Sequence, residues 1–245
     1  MKYEYEHLRL GVPWSNPPRS PLMLIQETLE ESRWARIVAA VMCCRTKREH
    51  SHPATWRLLS SWPCAESMAR ASLADVSAAI GPAGLQMTRA STLITMSDQW
   101  ALGVRPENGR LIGVGPYIRD SDRIFMGERD VFPSDRELRG YLSWLRVREL
   151  VTEFLAQSED DWASVNEDTG GALLCREAAV DLGEYLRSRG FDASQRFISP
   201  RDPYPPDVGP HWYVEVGIPG EAWMVDLTAR QFDPELPFPY IWRAA

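Results

Sequence analysis

Two kinds of hydrophobic periodicity divide this chain of 245 residues. Up to about residue 157, apolar residues recur at the spacing of helices, and no alternation typical of strands is convincing. After residue 190, short strand-like runs are separated by turns rich in proline and glycine. Because a chain of this length can bury two modest cores, the pattern predicts a multi-domain protein with an all-α unit followed by a small α+β unit.

Individual elements follow from apolar spacing, from capping residues and from the positions of glycine and proline. The amphipathic helix of the second unit is expected to end at Gly190, because glycine favours the left-handed conformation after a helix. The predicted helices span residues 22–29, 34–42, 53–59, 65–71, 73–80, 136–144 and 173–189, and the predicted strands span residues 193–198, 212–216 and 222–225.

An acidic, polar connector is expected between the two units. The sequences Glu159-Asp-Asp and Asn166-Glu-Asp-Thr-Gly-Gly place this connector at residues 158–170. The first domain is therefore predicted at residues 1–157 and the second at residues 171–245.

Charge is distributed unevenly along the chain. Residues 1–150 carry 20 Lys and Arg against 17 Asp and Glu, whereas residues 151–245 carry 7 against 17. The net charge of −7 comes from the second unit, so it does not argue against nucleic-acid binding by the first. Such an asymmetry indicates two units with different functions.

The longest apolar stretch, at residues 37–44, is too short to cross a bilayer, and the N-terminus lacks the apolar core of a signal peptide. A cytoplasmic protein without a membrane partner is therefore expected. The cysteines Cys43, Cys44, Cys64 and Cys175 have neither Cys-x-x-Cys nor zinc or iron–sulfur spacing. Cys43 and Cys44 are predicted to be reduced core residues, because they lie in an apolar run.

A glycine-rich hairpin, Gly113-Val-Gly, separates two helical stretches. Its glycines have no side chain to cover the backbone N–H groups, and clustered N–H groups at a helix start bind phosphate. About twenty residues later, Pro133-Ser-Asp supplies a lone carboxylate, Asp135, that can act on the sugar beside such a phosphate. This combination indicates chemistry on a nucleotide within DNA. Ser134 or Asp135 could also cap the next helix.

Motifs spread over residues 13–148 carry a resemblance to a known family. In order along the chain they are Pro17-Pro-Arg-Ser-Pro, Leu24-Ile-Gln-Glu-Thr-Leu, Cys44-Arg-Thr, Gly84-Leu, Gly113-Val-Gly-Pro-Tyr, Asp120-Ser, Arg123-Ile-Phe and Pro133-Ser-Asp. The series resembles the helix-hairpin-helix (HhH-GPD) DNA glycosylases, and most closely the catalytic domain of the methyl-CpG-binding mismatch thymine and uracil glycosylases. The resemblance implies a mostly helical, two-lobed domain that flips a base out of duplex DNA and cleaves its N-glycosidic bond.

The resemblance also implies roles for residues at the reacting centre. Asp135 matches the catalytic carboxylate, which can stabilise an oxocarbenium-like sugar and orient water. Gln26 matches a residue of the base pocket, since an amide donates and accepts along a Watson–Crick edge. Tyr117 would line or close that pocket. The alternatives are a solvated helix glutamine for Gln26 and a core tyrosine for Tyr117.

Further residues are implied to contact DNA. Gly113, Val114 and Gly115 would form the DNA-binding hairpin. Arg45 matches the side chain that fills the gap left by the flipped nucleotide, and Leu85 is a candidate wedge beside it, which would offset lost base stacking. Plain core packing is the alternative for Leu85.

Departures from the family narrow the expected chemistry. No lysine follows Lys47, so the chain lacks the Schiff-base nucleophile of bifunctional relatives, and a monofunctional enzyme without lyase activity is expected. Only Cys175 follows the catalytic domain, so no iron–sulfur cluster is expected. No other cofactor is expected, apart from a monovalent cation that the hairpin could hold.

The segment around Cys44 also departs from the family. Cys44 stands where the mismatch thymine enzymes carry asparagine, which leaves selectivity for a mismatched guanine open. His50 and His52 lack an evident third ligand, so a solvated basic loop near phosphate is the preferred interpretation and no metal site is expected.

The second unit carries its own candidate chemistry. Cys175 opens a helix, and His211 and Asp226 follow on successive predicted strands. This order resembles the papain-like and transglutaminase-like superfamily, which implies a thiol nucleophile, a base and a carboxylate that orients the base. Ala172-Leu-Leu precedes the cysteine, where such families carry glycine or asparagine. A buried core thiol is therefore the alternative for Cys175.

These patterns leave three functional hypotheses. The first is a monofunctional DNA glycosylase that removes a damaged, mismatched or modified base, with a pyrimidine favoured, in a nucleoid-associated protein that binds double-stranded DNA. The second is a thiol hydrolase or acyltransferase that acts on a basic or peptide substrate, with the helical unit as its DNA-binding module. The third is a pair of enzymes acting on one modified nucleobase.

Overall fold

The computed structural model describes residues 19–29, 31–159, 162, 171–198, 202–204 and 209–244. The chain forms two compact units, Met1–Arg139 and Gly140–Ala245. The division lies within a long helix, earlier than the predicted domain end at residue 157. Most of the predicted connector at residues 158–170 lies outside the described residues.

The described part of the first unit is built from helices. A 3₁₀ helix and helices α1 to α6 lie within it, and helix α7 begins there. They span Ile25–Leu29 (3₁₀), Arg33–Cys43 (α1), Arg48–Ser61 (α2), Ala65–Ala69 (α3), Leu73–Ile80 (α4), Gln86–Ala101 (α5), Pro116–Phe125 (α6) and Arg136–Gln157 (α7). The all-α prediction is confirmed for these described residues.

Local signals account for several of these helix ends. The Ser32 hydroxyl accepts from the backbone N–H of Ala35 and caps α1, and Ser72 caps α4 in the same way. The predicted helix at residues 22–29 is a shorter 3₁₀ helix, and the one at residues 53–59 begins earlier, at Arg48. Helices α5 and α6 are not among the elements predicted individually.

Helix α1 lies at the centre of the first core. It packs against α2, α5, α6 and the 3₁₀ helix, and its apolar residues are almost completely buried. Because the 3₁₀ helix and α6 both pack on α1, side chains distant in sequence meet beside it.

The second unit combines helices with a four-stranded antiparallel sheet. Helix α8 and strands β1 to β4 follow the C-terminal part of α7. They span Gly171–Ser188 (α8), Asp192–Phe197 (β1), Trp212–Ile218 (β2), Glu221–Asp226 (β3) and Tyr240–Arg243 (β4). The strands pair in chain order, and α8 packs on β1 and β2. The predicted helix and three strands are confirmed, whereas β4 was not predicted.

Two further features define the second unit. The C-terminal part of α7 belongs to it, because Phe154 packs on Tyr185 of α8 and the Trp223 indole donates to the Ser143 hydroxyl at 2.9 Å. Gly190 follows the end of α8 by two residues and has a φ of +83°. This left-handed conformation confirms the predicted glycine after the helix. No helix in the described residues is long and apolar enough to span a membrane.

Candidate functional site

A cavity of about 730 Å³ in the first unit brings together several of the predicted site residues. We call it the Asp135 cavity. Its walls come from the 3₁₀ helix, the α1–α2 loop and the starts of α2, α6 and α7. The lining residues are Leu24, Ile25, Gln26, Cys43, Cys44, Arg45, Thr46, Arg48, Ser51, His52, Tyr117, Ser134, Asp135 and Glu137.

Asp135 lies at the start of α7 and is half-buried. Its Oδ1 atom accepts a hydrogen bond of 3.0 Å from the backbone N–H of Leu138, so the predicted helix-capping role is confirmed. The cap holds the carboxylate at the cavity wall in one orientation. A capping role and a catalytic role are compatible, because a carboxylate has two oxygens and several lone pairs.

Gln26 is only 1% exposed, so the solvated-glutamine alternative is wrong. Its Nε2 atom donates to the Tyr117 hydroxyl at 3.5 Å and to the Ser121 hydroxyl at 3.4 Å. Burial raises the pKa of Tyr117, which keeps the phenol neutral at physiological pH. The wall beside Asp135 therefore presents neutral groups that can donate and accept hydrogen bonds.

A buried glutamate holds the segment that carries Gln26. Glu27 accepts hydrogen bonds from the backbone N–H and hydroxyl of Ser20, at 2.9 and 2.6 Å, and from the backbone N–H of Leu24 at 3.1 Å. Burial raises the pKa of Glu27 to about 7, and these hydrogen bonds oppose the rise. Glu27 thereby orients the 3₁₀ helix and its neighbour Gln26.

Cys43 and Cys44 line the cavity and are half-buried. Cys43 also packs against the core, as predicted, but one side of it faces the cavity. Burial raises the pKa of the Cys43 thiol to about 11, and the thiol lies 3.7 Å from the Ser51 hydroxyl. Cys43 therefore presents a neutral thiol to the cavity.

The hairpin lies between α5 and α6 and is not part of the cavity lining. Gly113 has a φ of +77°, Val114 is buried in the core, and Gly115 is the N-cap residue of α6. The backbone N–H of Ile112 donates to the Gln99 side chain of α5 at 2.8 Å. The backbone N–H of Val114 donates to the Leu111 carbonyl at 3.3 Å, so both the side chain and the N–H of Val114 are used within the protein.

Gly113→Ala is expected to destabilise the first unit. An alanine Cβ would lie 2.3 Å from Cγ2 of Thr92, and the positive φ adds strain of about 1–3 kcal/mol. Gly103→Ala is the matched control, because Gly103 also has a positive φ and nothing lies near its Cβ position. Urea denaturation should show the larger loss for Gly113→Ala, and equal losses would contradict the steric clash.

Arg45 and Leu85 lie at the surface on two different loops. Leu85 is 68% exposed, so the core-packing alternative is wrong. Both residues have left-handed backbones, with φ of 55° for Arg45 and 52° for Leu85, which is unusual for residues other than glycine. Arg45 lines the Asp135 cavity, whereas Leu85 does not.

The predicted basic loop around the histidines is helical instead. His50 and His52 lie in the first turns of α2, which begins at Arg48 because the backbone N–H groups there bond back to Lys47. Within the described ranges, no group of three or more His, Cys, Asp or Glu residues could hold a metal ion.

In the second unit, the structure brings Cys175, His211 and Asp226 together. His211 precedes β2 and Asp226 ends β3, and because these strands are antiparallel neighbours the two residues lie at the same end of the sheet. His211 Nε2 lies 2.5 Å from Asp226 Oδ2. Burial opposes protonation of His211, but hydrogen bonds with Asp226 and Cys175 raise its pKa to about 9.

Polar and aromatic side chains enclose this triad. The Tyr204 hydroxyl donates to Asp226 Oδ2, and the backbone N–H of Thr228 donates to Oδ1 at 2.7 Å. Gln231 Nε2 lies 3.2 Å from His211 Nδ1, and the Phe232 ring packs edge-on against the imidazole.

The triad is closed to solvent. Cys175 is 1% exposed, His211 0% and Asp226 2%. The gap beside Cys175, which is bounded by side chains of α8, β2 and β3, is too small for a water molecule. The predicted core-thiol alternative for Cys175 therefore agrees with its burial, whereas its hydrogen bond to His211 agrees with the triad.

Ser121 and Arg89 contribute to the first unit and were missed by sequence reasoning. Ser121 follows Tyr117 by one turn of α6, and that spacing is the signal that could have identified it as a second partner of Gln26. Arg89 is 8% exposed and bonds to both surface loops described above. No local pattern in the sequence marks it.

Sequence comparison finds similarity to a methyl-CpG-binding domain protein 4-like protein of Arabidopsis thaliana, which is 28% identical over 134 residues. The similarity covers 54% of this chain and 30% of that protein, so this chain spans less than a third of its relative's length. No family model matches the chain.

Proposed function

We propose that the first unit is a monofunctional DNA glycosylase that flips a damaged, mismatched or modified base, with a pyrimidine favoured, and hydrolyses its N-glycosidic bond. One observation carries the proposal. The Asp135 cavity places an oriented carboxylate beside the neutral polar groups of Gln26 and Tyr117, in a space large enough for an extruded base.

The proposed reaction uses these residues as follows. The bond between the base and sugar C1′ breaks with its electron pair on the base, which leaves positive charge on the sugar. The Asp135 carboxylate stabilises that charge and orients a water molecule, whose oxygen bonds to C1′ while its proton passes to the carboxylate. Gln26 reads the edge of the base, and the half-buried Tyr117 hydroxyl adds a second polar contact.

Lysine content supports a reaction that stops at the abasic site. The chain has lysine only at residues 2 and 47, and Lys47 is not among the residues that line the Asp135 cavity. Among the described residues that line the cavity, none carries an amine that could form a Schiff base with the sugar. Carboxylate and water suffice for the proposed hydrolysis, which requires no metal or iron–sulfur cluster.

Similarity and charge support DNA as the partner. The relative is described as methyl-CpG-binding domain protein 4-like, and the excess of acidic residues lies outside the first 150 residues. Arg45 and Arg48 line the cavity and can neutralise phosphates at its rim.

A panel of duplex oligonucleotides tests the proposal. The purified chain is incubated with U·G, T·G and C5-modified pyrimidine duplexes, and free base and abasic sites are measured separately. We expect base release and abasic strands that break only after alkaline treatment. Release of no base from any duplex would refute the proposal, and strand breaks before alkali would refute its monofunctional part.

The proximity of Cys175, His211 and Asp226 favours thiol-dependent acyl transfer or amide hydrolysis as a second candidate function, in the second unit. The thiolate would attack an acyl carbon, and His211 would give its proton to the departing amine. Water would then release the acyl group in hydrolysis. Because the described residues enclose the triad, a substrate could reach Cys175 only after the site opens.

Selective alkylation tests this second candidate. Because Cys175 is hydrogen-bonded to His211, the triad predicts that iodoacetamide at pH 6, once the site opens, labels Cys175 faster than the exposed Cys64. His211→Asn should slow labelling of Cys175 without affecting Cys64. Peptide mapping measures both rates in one sample. Equal labelling of Cys175 in the wild type and in His211→Asn would identify a buried core thiol that His211 does not activate.

A further inference from the structure

One buried arginine connects the two surface loops that carry Arg45 and Leu85. Arg89 lies in the first turn of α5 and is 8% exposed. Its Nη2 atom donates to the Cys44 carbonyl at 2.8 Å and to the Thr46 hydroxyl at 2.6 Å. Its Nη1 atom donates to the Ala83 carbonyl at 2.8 Å. A single guanidinium therefore bonds to both loops.

These hydrogen bonds lie on either side of the exposed residues. Cys44 and Thr46 flank Arg45 directly, and Ala83 precedes Leu85 by two positions. Arg45 and Leu85 both have strained left-handed backbones, which persist only where the surroundings hold them. Such strain gathers at ligand clamps and active sites.

Arginine is suited to this connection in a way that lysine is not. The guanidinium presents five N–H donors in a rigid plane, so one group can serve three acceptors in fixed directions. A lysine ammonium is a point charge on a flexible stem and cannot reproduce that geometry. The two loops are thus kept at one separation by the planar fork.

We propose that Arg89 is a positioning residue that holds Arg45 and Leu85 in one arrangement for insertion into the DNA duplex. The inference rests on the proposed glycosylase function and goes beyond it, because Arg89 does not itself line the Asp135 cavity but bonds to Cys44 and Thr46, which do. Arg89 acts through the loops, because it holds both side chains in position before they insert into the duplex.

Arg89→Lys tests this role through the rate of base release. In single-turnover excision from a G-mismatched duplex, the variant should be slower by about 10- to 100-fold, because small misplacements of positioning groups cost that much. The loss should shrink when the target base lies opposite an abasic position, since an unpaired base needs less help to leave the stack. A merely structural defect would slow both substrates equally.

Arg57→Lys is the matched control. Arg57 also donates to backbone carbonyls, those of Ala79 and Ile80, and both of these acceptors lie in α4 and not in the α1–α2 loop. The excision rate of Arg57→Lys should stay within about twofold of the wild type, because the loss of a partly exposed hydrogen bond has a small effect. Thr46→Val removes one acceptor of Arg89 and should give a smaller loss in the same direction.

Hydrogen exchange separates this inference from the proposed function. Arg89→Lys should speed amide exchange in both loops, at residues 44–46 and 83–85, while the melting temperature of the chain changes little. If the wild type releases no base, the glycosylase function fails, and exchange still decides whether Arg89 couples the loops. If the wild type is active, equal excision by Arg89→Lys overturns the positioning role alone. Unchanged exchange in either loop overturns the coupling.

Discussion

Asp135→Asn is expected to lower the single-turnover rate of base release by about 100- to 1,000-fold or more, the scale for losing a preorganised charge at a reacting centre. The sugar develops positive charge as the base departs, and an amide cannot stabilise that charge as a carboxylate does. An amide also cannot accept the proton of the attacking water. The loss should therefore appear in the chemical step rather than in DNA affinity.

Asparagine is a strict test because it preserves the other role of the residue. Asp135 Oδ1 accepts from the Leu138 N–H, and asparagine caps helices about as well as aspartate. The free energy of unfolding should thus stay close to that of the wild type. Asp130→Asn, the same change at an exposed carboxylate outside the cavity lining, should leave excision unaffected. Wild-type rates in Asp135→Asn would assign catalysis to another group.

The second large effect is expected in the second unit, where Asp226→Ala should lower the free energy of unfolding by about 3–5 kcal/mol at pH 6. The substitution leaves the buried His211 without its ionic partner. It also removes the acceptor of the Tyr204 hydroxyl and of the Thr228 N–H. The enclosed site offers these donors no water in exchange, so the full cost of burying unpaired groups remains.

The pH dependence of this effect has a definite sign. Burial lowers the pKa of His211, but hydrogen bonds with Asp226 and Cys175 raise it overall to about 9, from 6.5 in an unfolded chain. The folded state therefore binds the proton more tightly. This contribution is fully present below about pH 6.5 and is lost as the pH rises through about 9, on the order of 3 kcal/mol in all.

Urea denaturation between pH 6 and 10 measures this dependence. The free energy of unfolding of the wild type should fall over that range. The difference in this free energy between the wild type and Asp226→Ala should therefore become smaller. Glu215→Ala is the matched control, because Glu215 pairs with Arg196 on the partly exposed side of β2 at 2.6 Å. The Glu215→Ala variant should lose less than about 1 kcal/mol of free energy of unfolding. A flat pH profile in the wild type would show that His211 is not protonated in the folded state.

Sequence reasoning identified most elements of both units because their signals are local. Apolar spacing located α1, α4 and α8, and a glycine marked the end of α8 at residue 190. Helix α5 escaped individual prediction, since threonine, serine and other polar residues obscure its apolar face. Strand β4 escaped because its four residues, Tyr240–Arg243, follow a proline-rich stretch and are too few to show alternation.

The candidate site divides in the same way. The resemblance of the ordered motifs to a known family was enough to nominate Gln26, Arg45, Tyr117 and Asp135, which line one cavity. The sequence could not predict how exposed a side chain is. It therefore left open whether Leu85 is a wedge or a core residue, and whether Gln26 is solvated or buried. Those alternatives depend on which helix faces meet.

By itself, the sequence determined the order of helices and strands, the ends of several helices and the residue types available for chemistry, because capping, spacing and backbone preference act within a few residues. Only the tertiary structure decided that the walls of the Asp135 cavity meet, that the Cys175–His211–Asp226 triad is closed, and that Arg89 bonds to two loops. Each of these depends on the packing of segments far apart in sequence, and the burial that results sets both their hydrogen bonds and their pKa values.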